Sequence, residues 1–116
     1  MAKKSTAKKP KAQNARTPLA RWPVVPIRIL ETGTVLDKSV TVKIGQDVEW
    51  IAQNGGGPWT ITFDAGSPFS QSTYWVPRGG RVRTVGGAAG PHGKTYPYTV
   101  KDEAGVSRGK GEIVVV

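Results

Sequence analysis

The chain has 116 residues, one domain's worth, with 17 lysines and arginines against eight acids, a formal charge of +9, one histidine, no cysteine, and Met1 as its sole methionine. Without a thiol there is no disulfide staple, and neither the thiolate and two imidazoles of a blue-copper site nor the three or four Cys/His ligands of a usual zinc site can be assembled. The charge is uneven: residues 1–22 carry seven basic residues and no acid, whereas residues 23–116 carry ten against all eight acids, a net of only +2.

The first segment in chain order is therefore a basic arm, residues 1–22, bearing Lys3, Lys4, Lys8, Lys9, Lys11, Arg16 and Arg21. Its apolar content before Leu19 is small alanines, too little to offset the entropy of ordering, so it is expected to be disordered. It lacks the continuous apolar run of about 7 to 15 residues that a secretory signal needs. No stretch of the chain approaches the roughly 18 apolar residues of a membrane span. A cytoplasmic location is the expectation that follows.

From Val24 onward, short strands are punctuated by glycine and proline. Strands are expected at 26–31, 40–44, 48–52, 59–63, 73–76, 81–85, 95–100 and 112–116. Alternation is clearest where Val40, Val42 and Ile44, then Val48, Trp50 and Ala52, then Trp59, Ile61 and Phe63 share one face. Helical periodicity of useful length is missing, and 15 glycines with nine prolines would interrupt it. Residues 23–116 thus read as an all-β domain, a Greek-key antiparallel β-sandwich of about eight strands.

Several phrases sharpen that reading: Ile44-Gly45-Gln46-Asp47-Val48-Glu49-Trp50; Pro58-Trp59-Thr60-Ile61-Thr62-Phe63; Ser67-Pro68-Phe69; Trp75-Val76-Pro77-Arg78-Gly79-Gly80; and a last hairpin from Tyr96-Pro97-Tyr98-Thr99-Val100 to Gly111-Glu112-Ile113-Val114-Val115. Together they resemble the cupredoxins, of the plastocyanin and azurin type, over roughly residues 24–116. The resemblance implies a small β-sandwich whose usual cargo is copper. Its ligand positions are altered, however. Where the family has its first histidine this chain has Trp59, and where it has cysteine and the second histidine this chain has Val100 and Glu103. His92 precedes the Tyr96 strand, on the wrong side for the family's second histidine. No metal or other cofactor is expected.

Trp59 admits two readings. Its indole can fill the volume otherwise taken by a metal and its imidazole, since a dry cavity is destabilising in proportion to its size. Alternatively, Trp59 with Tyr74 or Trp75 can form an exposed aromatic surface that stacks on a base or sugar or anchors a protein. The Gly55-Gly56-Gly57-Pro58 loop reads as a tight turn, because no helix or P-loop lysine follows it. Arg78, Arg81 and Arg83 are the notable charges of the body. Arg81 and Arg83 alternate with Val82, so both point to solvent on one side, either as a charged strand edge that resists aggregation or as a basic stripe suited to phosphates.

Catalysis has little to stand on. No nucleophile elbow or triad spacing surrounds His92, and Asp102 with Glu103 read as turn residues before Gly105; no catalytic residue is assigned and an enzyme is not expected. The Ala7-Lys8-Lys9-Pro10-Lys11 phrase resembles the basic tails of histone-like chromatin proteins. Seven cations on a tether attract polyanions by counterion release without reading sequence. Lipid insertion is disfavoured, since the arm lacks the bulky apolar residues that would bury in a membrane interface. The expected function is a metal-free, non-enzymatic binding module whose arm engages nucleic acid or another polyanion. The alternative is a structural subunit that contacts a protein partner or copies of itself, with copper electron transfer the least favoured.

Overall fold

The computed structural model describes residues 22–116. The expectation of disorder for the arm falls on residues 1–21, outside the described residues. Eight strands are present in what is described: β1 (Val25–Ile29), β2 (Ser39–Val42), β3 (Val48–Ala52), β4 (Trp59–Phe63), β5 (Thr73–Val76), β6 (Arg81–Arg83), β7 (Thr95–Lys101) and β8 (Ser107–Val115). The alternation that predicts β3 and β4 is realised: Val48, Trp50 and Ala52, then Trp59, Ile61 and Phe63, are buried, and the residues between them are half-buried.

Two sheets face each other, one of three strands in the order β1-β3-β6 and one of five in the order β2-β8-β7-β4-β5. The chain passes from one sheet to the other between β1 and β2, β2 and β3, β3 and β4, β5 and β6, and β6 and β7, which gives the Greek-key sandwich its connections. Four of the six ladders are antiparallel; β1 with β3 and β2 with β8 run parallel. Neither parallel pair is joined by a hairpin: β1 reaches β3 through β2 of the opposite sheet, and five strands lie between β2 and β8 in the chain.

Between the sheets lies an aromatic layer. Trp50 is fully buried, with ring centroids 5.2 Å from Tyr74, 5.6 Å from Tyr98 and 6.1 Å from Phe63. Edge-to-face geometry with Phe63 and Tyr98 places positive ring edges against negative ring faces. Burial pushes the Tyr98 phenol up to about 12, with the nearby Trp50 indole pulling slightly the other way.

One expected core residue lies elsewhere. Ile44 is 55% exposed, because β2 ends at Val42 and a turn closed by Gln46 N–H donating to Lys43 O rotates the next residues outward. The strand register also separates two poles. Turns 30–34, 53–58, 77–80 and 102–106 gather at one, hereafter the Trp59 pole; turns 43–46, 84–88 and 90–94, together with Trp22, gather at the other.

Candidate functional site

Trp59 opens β4 at its pole and is 5% exposed. Two glycines make its seat. A Cβ on Gly33 would lie 3.2 Å from the indole Cζ3 and overlap the Arg108 Cβ, and one on Gly57 would lie 3.3 Å from the indole Cδ1 and Nε1. Both glycines hold φ in the left-handed region, +92° and +98°, which side chains rarely adopt. The indole thus occupies the interior rather than a surface, and its Nε1 is buried without a hydrogen-bond partner. Beside it opens a shallow cavity of about 250 Å³ lined by Gly57, Pro58, Trp59, Asp102, Glu103 and Ala104.

The rim of that cavity is fixed by Asp102. One carboxylate oxygen accepts from the N–H groups of Ala104 (2.9 Å) and Val106 (3.0 Å), and the other from Arg108 Nε (2.8 Å). The Val106 amide and then the Arg108 guanidinium hold this carboxyl below the usual carboxylate range. Asp102 is the turn residue its place before Gly105 implies, and the hydrogen bonds show why the turn requires it. Its lone pairs are occupied by the loop itself.

A copper centre does not fit this pole. Of the three positions at which the resembled family carries ligands, Trp59 and Glu103 meet at the cavity, while Val100 is fully buried on the inner face of β7. Of the nearby carboxylates, Asp102 is committed to its turn and Glu103 stands alone, with no imidazole or thiolate beside them. His92 lies at the opposite pole, in the turn where Gly93 N–H donates to Val115 O. Among the described residues, no three His, Cys, Asp or Glu side chains converge as metal ligands.

The candidate aromatics separate. Tyr74, like Trp59, is 5% exposed, so neither offers a contact surface; Tyr74 lies opposite Ile61, and that register faces the core. Trp75, one residue on, faces out and is 60% exposed. The sequence signal is ambiguous here because Tyr74 and Trp75 put an aromatic on both faces of β5.

Arg81 and Arg83 do share one side, as the alternation implies. They flank Glu49 of β3 at 3.4 and 3.8 Å, with side chains 63% and 59% exposed. Glu49 cancels one of the two charges, and ion pairs this exposed contribute little to stability. Arg78 sits apart, in the turn at the Trp59 pole, where its Cα backs onto Gly57. Lys3, Lys4, Lys8, Lys9, Lys11, Arg16 and Arg21 lie outside the described residues.

Asp47 is a structural residue that pattern reading passed over. It accepts from the Thr84 hydroxyl at 2.6 Å and the Gly87 N–H at 2.9 Å, and Thr84 in turn accepts from Val48 N–H at 3.1 Å. These bonds tie loop 84–88 to the start of β3.

No protein-family model and no curated protein matches the sequence. Solved structures do match. A copper(I) amicyanin variant is 18% identical, covering 80% of this chain and 82% of that chain, with a TM-score of 0.57. Another amicyanin variant, in its reduced copper(I) form at pH 4, is 17% identical over 84% of this chain and 86% of that one, with a TM-score of 0.58. A copper-containing nitrite reductase from Thermus scotoductus is 15% identical and has a TM-score of 0.58; the match takes in 90% of this chain but 25% of the enzyme. The fold is therefore cupredoxin-like, carried by a sequence that lacks the blue-copper donor set.

Proposed function

We propose that the chain is a metal-free, non-enzymatic interaction module that engages a polyanion through its basic arm. The observation that supports this best is the Trp59 pole, where a buried indole, an inward valine and a lone glutamate stand at the positions the resembled family uses for ligands. Among the described residues no blue-copper donor set comes together, which supports a reading based on surface recognition. The arm supplies most of the charge for it, and the single uncancelled charge of the Arg81 and Arg83 pair adds a weak extension.

Nonspecific duplex DNA is the convenient probe. Binding by the full chain is expected to weaken steeply with salt, and deletion of residues 2–16, which removes six cations, lowers the log-log slope by up to about 5. A flat slope for the full chain would defeat the reading. Copper(II) titration is expected to produce no blue thiolate band.

A second reading, self-assembly, has one observation in its favour. β5 is an edge strand that carries no charge and exposes Trp75, and uncharged edges invite pairing with another chain. Sedimentation across a concentration series separates the two, since a constant monomer mass counts against assembly.

A further inference from the structure

The pole away from Trp59 carries an exposed apolar group that the core does not use. Trp22 is 46% exposed, Ile44 55% and Val85 75%. The turn at 43–46 gathers them. On one side Gln46 Nε2 donates to Pro23 O at 2.7 Å, the Lys43 ammonium stands 5.4 Å over the Trp22 ring, and the Trp22 edge approaches Gly45. On the other, Gly45 N–H donates to Ala88 O at 2.8 Å and Gly87 lies directly against Gly45, which brings in the loop bearing Val85. Trp22 is thus fixed by its neighbour Pro23, and the basic arm is the chain segment that immediately precedes it.

Lys43 and Lys94 stand at this pole, where the Asp47 carboxylate is turned inward onto Thr84 and Gly87. Glu31, Asp102 and Glu103 belong to the turns of the far pole, but Arg78 and Arg108 stand there with them, so the positive field at the Trp22 pole comes mainly from the arm. The arm adds seven positive charges next to the apolar group.

We propose that this pole docks on an anionic lipid surface, with the arm held by the headgroup charge while Trp22, Ile44 and Val85 enter the headgroup boundary. The proposal rests on the arm's being a polyanion binder and names the polyanion. Residues 2–18 lack bulky apolar side chains; Trp22 at the end of the arm, with Ile44 and Val85 of the folded body, supplies them at the point of attachment. An indole flanked by cations is suited to a membrane interface, and an apolar contact with an electrostatic one provides the two signals that stable attachment needs. Nucleic acid would leave the aliphatic Ile44 and Val85 without a partner. A second copy docked through the same pole would bring two arms of like charge together.

The test uses the full chain carrying Trp75→Phe, so that Trp22 is the remaining exposed indole beside the buried Trp50 and Trp59. Phosphatidylserine-containing vesicles are expected to co-sediment the protein and shift its emission to the blue, while pure phosphatidylcholine vesicles and duplex DNA leave the emission in place. Adding Ile44→Ser and Val85→Ser, which changes no charge, is expected to weaken vesicle binding roughly tenfold or more and leave DNA binding unaltered. Vesicle binding that survives both serines, with no blue shift, would overturn lipid docking and leave the polyanion reading standing. Failure to bind vesicles or DNA at low salt would overturn both.

Discussion

The two poles of this sandwich each hold a tryptophan and put it to opposite use. Trp59 is enclosed between Gly33 and Gly57, at the chain position where the resembled family has its first histidine. Trp22 is pinned through its neighbour and lies half in solvent beneath a lysine. The difference lies in what surrounds each ring: at one pole glycines open a socket, at the other a turn presents a shelf. A pole that has become part of the core has little left to offer a partner, so recognition is expected where the chain leaves apolar surface beside positive charge.

The contrast breaks most visibly under truncation. Trp59→Ala is expected to cost about 3 to 5 kcal/mol in urea unfolding, because the glycine-walled socket has no side chain able to refill it. A loss below 1 kcal/mol would mean that the indole is not a core element. The next largest effect belongs to the layer between the poles. The Tyr98 phenol has a folded value of about 12, above its ordinary 10, so its stabilising effect is complete below pH 10 and is lost as pH rises from 10 through 12. Denaturation against pH should show a decline of up to roughly 3 kcal/mol over that window, and Tyr98→Phe should flatten it.

A subtler probe is the rim of the Trp59 pole. Asp102 is held below its ordinary range, so its contribution is present at neutral pH and is lost as acid protonates it. Asp102→Asn should speed hydrogen exchange at Ala104 and Val106, whose amides it caps, without altering exchange at β3. The smallest effect is expected at the other pole. Trp22→Ala should cost far less than Trp59→Ala, about 1 kcal/mol or below, since its ring is only about half buried.

Where alternation is clean, at 48–52 and 59–63, the strands hold their expected bounds, and 73–76 does so as well although its aromatics point to both faces. The final strand shows the limit. Pattern alone begins it at 112, whereas β8 begins at Ser107. Its first half, Ser107-Arg108-Gly109-Lys110-Gly111, has glycines at inward positions, because the Tyr98 ring fills the space above Gly111 and the Gly33 backbone fills that above Gly109. The group that fills the space over each glycine lies on another strand or turn, so no local window reveals it. Ile44 fails for the converse reason, continuing an apolar period past the end of the ladder that supports it. At the site, the position of Trp59 after Pro58 was legible from the family-like phrase. The grouping of Trp22 with Ile44 and Val85 was not, since it is made by the Gln46 and Gly45 contacts between distant segments.

The parallel pairing of β2 with β8 has a kinetic consequence. Ser39 meets Glu112 and Val42 meets Val115, so the five-stranded sheet gains its β2 edge only after residues far along the chain have been synthesised. A nascent chain that ends before β8 leaves Tyr98 and Val40 without their neighbours, and such long-range closure belongs to slow folders of high contact order. During that interval the positive charge of residues 1–22, which precede every strand, works against association between copies.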